Sequence, residues 1–400
     1  MNPFVSMIIA FKDYSFPYAK NIFWAFCTFY GLTFAIGFES TGSDINAYIR
    51  DLHSLYSQNK LTIEQAFENY RNSGEIDIFQ SIISFVLSRF TDSQAVLTTV
   101  YAFIFGYFFS RNIWYIFGLL EGKLSILVKT VLFALILVVP IWNINGIRMY
   151  LAFHVFMFGL LPYIFENRKN KLLFVFASFL IHFSFSLPII IFLIYRLLGN
   201  HLRLYFFIFI ISIFTSEFEI GQLNQAIDSF VPQALIDRSA GYTNETVVME
   251  YREHIVNTNI IWYLKWFQKG LKWSIIILLI YFMLFADKRI KLILEWKKLL
   301  SLSMLYFAVA NILSYLPSGG RFYIFSFFLS LVMVILYLNQ FKKDRKLVLL
   351  TKILTPAFIL FIIVSLRLGL YSTSVTTVFG NPIIAVFNAG ETTPLNNLIK

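Results

Sequence analysis

Long apolar runs separated by short polar segments dominate the chain. A helix needs about 20 apolar residues to cross the hydrocarbon core of a membrane. Such runs occupy 21–38, 94–110, 124–142, 149–165, 204–217, 271–286, 299–316, 322–340 and 347–370. The stretch 172–198 is also apolar, but its centre contains His182, Ser184, Ser186 and Pro188. We interpret it as two short helices that meet at the outer side, and one kinked span is the alternative. The pattern predicts an all-α polytopic membrane protein with about 11 transmembrane helices.

The composition supports this class. Of 400 residues, 58% are apolar and 14% are charged, and the mean hydropathy is +0.70. Even large soluble domains bury only about 75% of the surface that the unfolded chain exposes, so a soluble fold could not hide this much apolar surface. These numbers exclude a soluble enzyme with one anchor and a secreted disulfide scaffold. Cys27 is the only cysteine, so no intramolecular disulfide can form.

The distribution of charge orients the predicted spans. Lys and Arg concentrate in six short segments, 1–20, 111–123, 166–171, 196–203, 287–298 and 341–346. In two long segments, 39–77 and 218–260, acidic residues outnumber Lys and Arg instead. Because cytoplasmic loops are enriched in Lys and Arg, we expect a cytoplasmic N-terminus and place both long loops outside. Orientation thus explains most of the net charge of +11, and a nucleic-acid partner is not expected. We expect one membrane domain over 1–371 and an extracytoplasmic tail over 372–400.

Polar residues that orientation does not explain gather on the outer side. Asp44 follows the first span, next to Ser43 and Gly42. A carboxylate at this place can bind a sugar hydroxyl or accept its proton. The alternative is that Ser43 or Asp44 caps the helix that follows. Further along the same loop, Glu64 and Glu68 fit the solvated face of an amphipathic helix.

Two arginines share one setting. Arg148 and Arg321 each follow a short Gly-containing outer turn and begin a span. Because the planar guanidinium matches phosphate oxygens, we expect both to bind one pyrophosphate, with His182 near enough to add a hydrogen bond. The alternatives are an arginine that extends to the membrane surface and a histidine that bonds a carbonyl freed at the kink.

Three lysines, Lys265, Lys269 and Lys272, are spaced to share one helical face among Trp and Tyr residues. We call them the lysine strip. The strip is predicted to dock an anionic lipid-linked substrate, and anchoring to lipid headgroups is the alternative. The sequence contains no nucleotide-binding loop and no cluster of Cys and His, so we expect neither a cofactor nor a metal.

Together these motifs resemble the EpsG-like, Wzy-type polysaccharide polymerases of bacterial surface-glycan assembly. The matching residues are Gly42, Asp44 and Tyr48 after the first span, Gly146, Arg148 and Ala152 at a mid-chain span, His182 with Ser184, and Arg321 with Tyr323. The step before the second span departs from the family pattern. It includes Glu75 and Asp77, whose roles the resemblance leaves open.

The resemblance implies a GT-C-like glycosyltransferase of the bacterial inner membrane with its active site facing outward. Its partners would be an undecaprenyl-pyrophosphate-linked oligosaccharide, membrane lipids and a chain-length regulator protein. The implied catalytic residues are Asp44, Arg148, His182 and Arg321, and the implied substrate-binding residues are Tyr48 and Tyr323. To the substrate-binding residues we add the lysine strip, Lys265, Lys269 and Lys272, from its spacing alone. Alternatives are an O-antigen ligase or other transferase acting on lipid-linked sugars, a flippase for lipid-linked oligosaccharides, and a membrane acyltransferase with a catalytic histidine.

Overall fold

The described part of the chain is helical. The computed structural model describes residues 2–36, 44–58, 64–65, 68, 77–214, 261–291, 293–314, 316, 318–387, 389 and 393–398. Its α-helices are α1 (Pro3–Lys12), α2 (Ala19–Leu32), α3 (Asp44–Ser57), α4 (Ile78–Leu87), α5 (Gln94–Gly118), α6 (Ile126–Ile136), α7 (Ile147–Glu166), α8 (Leu172–Ile181), α9 (Ser186–Leu198), α10 (Leu202–Phe214), α11 (Trp262–Phe285), α12 (Asp287–Ile290), α13 (Leu294–Leu313), α14 (Tyr323–Gln340), α15 (Arg345–Gly369), α16 (Val375–Phe379) and α17 (Pro382–Phe387). Short 3-10 helices lie at Ile141–Gly146, Lys169–Lys171, Phe183–Phe185, Gly319–Phe322 and Leu395–Leu398.

Several of these helices are apolar enough for a membrane. Within the described residues, the helical stretches with the length and composition to cross one are Ile126–Glu166, Trp262–Phe285, Gly319–Gln340 and Arg345–Gly369. Shorter apolar helices are Pro3–Lys12, Ile78–Leu87, Phe183–Leu198 and Leu202–Phe214. On α15, Ile353, Ile359 and Ile363 are exposed, as lipid-facing side chains would be. The predicted class, an all-α polytopic membrane protein, fits these features, and the count of 11 spans, the orientation and the GT-C-like fold stay predictions.

The chain divides into two compact units. The first unit comprises Met1–Gly122, Val139–Ile189 and Ser365–Lys400, and the second comprises Lys123–Val138 and Ile190–Val364. The predicted boundary at residue 371 stays a prediction.

Small residues bring α2 and α5 together in the first unit. Cys27 and Gly31 lie one turn apart on α2, and Ala102 and Gly106 lie one turn apart on α5. A β-carbon at Gly31 would collide with Ala102, and one at Gly106 would collide with Cys27. The Thr98 hydroxyl also donates to the Gly31 carbonyl at 2.7 Å. This is the close packing through small residues that membrane helices use.

The interruption predicted in 172–198 is present. Helix α8 ends at Ile181, where His182 takes an extended backbone (φ −150°, ψ 120°). The 3-10 helix Phe183–Phe185 follows, and α9 begins at Ser186. Backbone groups near His182 therefore lack the partners of a continuous helix and are open to side chains.

In the second unit, α13 packs against α10 and α14. Aromatic rings fill this contact, with Phe307 beside both Phe209 and Tyr323. Most side chains of α14 are buried, so the packing fixes the position of Tyr323 at its first residue.

Candidate functional site

Arg148 lies in the first turn of α7, directly after the 3-10 helix Ile141–Gly146. Its Nε donates to the Tyr48 hydroxyl at 2.8 Å, and its Nη1 donates to Asp77 Oδ2 at 3.2 Å. The side chain is 26% exposed. Within the described residues, Nη2 has no hydrogen-bond partner. The guanidinium is thus held on one side and keeps donors for an anion on the other.

Asp77 joins two segments that the sequence separates widely. Its side chain is 1% exposed. While Oδ2 accepts from Arg148, Oδ1 accepts the backbone N–H of Phe183 at 2.7 Å. One buried carboxylate therefore places the break after His182 beside the start of α7. Sequence reasoning left the role of Asp77 open, and no local pattern distinguishes it from the other acids of the loop.

The imidazole of His182 is fixed by its own turn. Its Nδ1 accepts the backbone N–H of Ser184 at 3.2 Å and lies 2.8 Å from the Ser184 hydroxyl. The ring stacks on Phe183, with 5.2 Å between centroids. Because Nδ1 accepts a backbone hydrogen, we assign the proton of the neutral ring to Nε2, which is then a donor. The Ser184 hydroxyl also approaches Met149, the neighbour of Arg148.

Tyr48 and Asp44 come to this cluster on α3. Burial is the main reason why the pKa of Tyr48 rises to about 12; Arg148 opposes the rise and Asp44 adds to it. The phenol is therefore protonated at neutral pH, so it accepts from Arg148 and keeps its own O–H as a donor. Asp44 is exposed and lies in the first turn of α3. A β-carbon placed on Gly146 would be 3.7 Å from Asp44 Oδ2.

Four predicted residues therefore meet in the first unit: Asp44, Tyr48, Arg148 and His182. Asp44 contributes an exposed carboxylate and Arg148 a guanidinium with a spare nitrogen. His182 joins them through Asp77, which binds both Arg148 and the backbone of the next residue, Phe183. Such a set can bind an anion and accept a proton at neighbouring points. Asp44 begins a helix, but Ser43, the other predicted cap, lies outside the described residues, as does Gly42.

The lysine strip lies on α11 in the second unit. Lys265 and Lys269 are exposed, whereas Lys272 is half-buried. The Lys272 ammonium donates to the Tyr323 hydroxyl at 2.5 Å and lies 4.6 Å from the centroid of that ring. The strip thus ends in a cation held by one of the predicted substrate-binding tyrosines.

A chain of hydrogen bonds continues inward from Tyr323. Its hydroxyl donates to Asn311 Oδ1 at 2.8 Å, and Asn311 Nδ2 donates to Ser212 Oγ at 2.9 Å. Asn311 and Ser212 are buried. The chain fixes the tyrosine oxygen as the acceptor for Lys272, because the phenol hydrogen points to Asn311. Sequence analysis did not single out Asn311 or Ser212.

Arg321 lies in the 3-10 helix Gly319–Phe322 of the second unit and is exposed. Its side chain has no hydrogen bond or ion pair within the part of the chain that the structure describes. Gly319, two residues before Arg321, is needed for packing, since a β-carbon there would overlap the Leu313 carbonyl. Arg148 and Arg321 belong to different units, so their convergence on one pyrophosphate stays a prediction.

The described residues include no group of three or more His, Cys, Asp or Glu side chains placed to hold a metal ion. His154, deeper on α7, serves packing. It is 1% exposed, its Nε2 lies 3.0 Å from the Val139 carbonyl, and Asn112 donates to its backbone carbonyl at 2.8 Å.

The chain matches the sequence model of a known protein family. No curated protein and no solved structure matches this chain. The sequence model of the EpsG family matches residues 22–374. This range contains every candidate site residue, from Asp44 to Tyr323. The chain therefore belongs to the EpsG family, the family of Wzy-type polymerase-like proteins.

Proposed function

We propose that this protein is a polysaccharide polymerase that joins lipid-linked repeat units at the outer face of the bacterial inner membrane. The donor would be a glycan chain on undecaprenyl pyrophosphate, and the acceptor would be the next lipid-linked unit. The observation that carries the proposal is the cluster of Asp44, Tyr48, Arg148 and His182 around the buried Asp77. In this proposal the chain crosses the membrane about 11 times with its N-terminus in the cytoplasm.

The cluster supports a specific chemical role for each of its residues. The acceptor hydroxyl gives its proton to Asp44 as its oxygen bonds to the anomeric carbon of the donor. The bond from that carbon to the pyrophosphate breaks, and the electron pair leaves with the pyrophosphate. Arg148, through its spare Nη2 donors, and His182, through Nε2, stabilise the charge that develops there.

In this proposal, Arg321 and the lysine strip would supply further cations for the same chemistry. Arg321 has no acid partner among the described residues and would add a second guanidinium to the leaving group. The lysine strip would dock the anionic head of the carrier, with Tyr323 holding Lys272 in place. No metal takes part in this scheme.

The test is the glycan ladder of a deletion strain. We expect single repeat units to accumulate in the strain and wild-type protein to restore long chains. Arg148→Ala should fail to restore them at normal membrane abundance. Removal of one donor to a developing anion costs about 10²–10³ in rate. Arg203→Ala, which changes an exposed arginine of α10, is the matched control and should give a normal ladder.

Two results would refute the proposal. A normal ladder from Arg148→Ala at normal abundance would show that the cluster around Arg148 is not the active site. Loss of all glycan from its final acceptor, with long chains still built on the lipid, would identify a ligase instead.

A further inference from the structure

A cavity of about 680 Å³ lies in the first unit, away from the cluster around Arg148. Its wall includes Leu161 and Pro162, near the end of α7. At 1.5 Å per residue, this part of the helix is about 20 Å along the axis from Arg148. The cavity is therefore at the opposite end of the helix from the proposed active site, and nothing in that site uses it.

The charged residues of the lining are mostly positive. The cavity is bordered by Lys20, Arg111, Arg168 and Lys171, and by one acidic residue, Glu166. That acid forms an ion pair with Arg168, with 2.5 Å between Nε and Oε2. Three cations on the wall thus remain without a carboxylate among the lining residues. We call this site the basic cavity.

Neutral contacts hold Arg111 in place. It is half-buried and donates to Asn21 Oδ1 at 2.7 Å and to Ser110 Oγ at 2.8 Å. Its guanidinium carbon lies 4.6 Å from the ring centroid of Trp24 and 4.3 Å from that of Tyr107. These contacts orient the guanidinium but leave its charge in place, which is the state an anion-binding arginine needs.

Lys171 has a similar setting. It is half-buried, and its ammonium lies 4.7 Å from the Phe158 ring centroid and 5.3 Å from that of Phe174. A lysine that served only to orient the chain in the membrane would not need to be half-buried beside aromatic rings. Its neighbour Lys169 shows this contrast, since it is exposed and lies outside the cavity.

We propose that the basic cavity binds the phosphate of an anionic membrane-lipid headgroup. Basic pockets near the ends of membrane helices favour such headgroups, because phosphate oxygens pair with Lys and Arg while the acyl chains stay in the bilayer. A volume of about 680 Å³ is within the usual range for a small-molecule site. The aromatic side chains around Arg111 and Lys171 suit the interface between headgroups and hydrocarbon.

The test is lipid binding by the purified full-length protein in nonionic detergent, measured by native mass spectrometry. Dioleoylphosphatidylglycerol is titrated, with dioleoylphosphatidylcholine as the neutral lipid. We expect Lys171→Gln and Lys20→Gln each to weaken phosphatidylglycerol binding about fivefold. Lys169→Gln makes the same charge change two residues away and should leave binding unchanged. Lys20 has no ring contact among those described, so its variant keeps the test valid if Lys171→Gln folds poorly.

Three results would overturn the proposal. An equal loss in Lys169→Gln would mean that general surface charge attracts the lipid. Equal binding of phosphatidylcholine would show that the cations do not select the headgroup. Displacement of phosphatidylglycerol by glycerol 1-phosphate or inorganic phosphate at similar concentration would identify a soluble phosphate compound as the occupant.

Discussion

Replacement of Asp77 tests whether one buried carboxylate holds the predicted active-site cluster together. The side chain accepts from Arg148 Nη1 at 3.2 Å and from the Phe183 backbone N–H at 2.7 Å. A hydrogen bond to a charged group contributes about 1.5–3 kcal/mol. Arg148 is 26% exposed, so water replaces part of its lost contact, whereas the N–H of Phe183 loses its acceptor. We expect Asp77→Ala to destabilise the protein by about 3 kcal/mol.

Asp77→Asn separates position from charge. The amide oxygen can still accept from Phe183, and the Asp77 side chain makes no capping hydrogen bond to α4 that the substitution could remove. The variant should therefore fold with a smaller loss of about 1–2 kcal/mol. Arg148 loses its ionic partner, however, and a catalytic group displaced by about 1 Å costs about 10² in rate. We expect a stable protein that makes only short glycan chains.

Two assays read these effects separately. The midpoint of denaturation in detergent micelles reports stability, and the glycan ladder of the complemented deletion strain reports activity, both at matched membrane abundance. Asp92→Asn is the control, because Asp92 is 50% exposed and faces His53 at 3.5 Å. If Asp77→Ala unfolds at the same point as the control, the bridge does not stabilise the fold. If Asp77→Asn gives wild-type chain lengths, the activity of Arg148 does not depend on the charge of Asp77.

Three further predictions concern other parts of the chain. Arg148→Lys should give no long polymer, since lysine keeps the charge but loses the fork that bonds Tyr48 and Asp77 together; a wild-type ladder would contradict this. Substitution of the whole lysine strip by Gln should raise the apparent KM for lipid-linked substrate at low salt, because each lysine contributes about 1 kcal/mol to binding of an anionic headgroup. An unchanged KM would mean that the strip serves only to anchor the protein to lipid headgroups. Burial raises the pKa of Asp344, but hydrogen bonds from Leu347, Tyr337 and Tyr281 outweigh it and hold the pKa below its usual value. The stability from this carboxylate is therefore present above an unfolded pKa of about 3.9 and is lost as the pH falls through the folded pKa. The difference in thermal midpoint between wild type and Asp344→Asn should therefore shrink below about pH 4. A difference that stays constant with pH would show that Asp344 acts without its charge.

Local patterns in the sequence predicted the features that depend on a few neighbouring residues. The apolar runs predicted the helices, because each helix satisfies its own backbone and follows a period of 3.6 residues. The polar residues around His182 predicted the break between α8 and α9. The spacing of the lysine strip predicted a shared face on what is one continuous helix, α11. The Gly-containing turn before Arg148 predicted that a helix begins at that residue, and α7 begins one residue earlier, at Ile147.

The contacts between distant helices were decided only by tertiary structure. Asp77 lies 71 residues from Arg148 and 106 from Phe183, and Lys272 lies 51 from Tyr323. Several acids share the loop that ends at Asp77, and helical periodicity says nothing about which of them packs against α7. That choice depends on the register and depth at which helices meet, where a buried carboxylate is stable only beside a cation or an N–H donor. The sequence supplied the charged groups, and packing determined which of them pair.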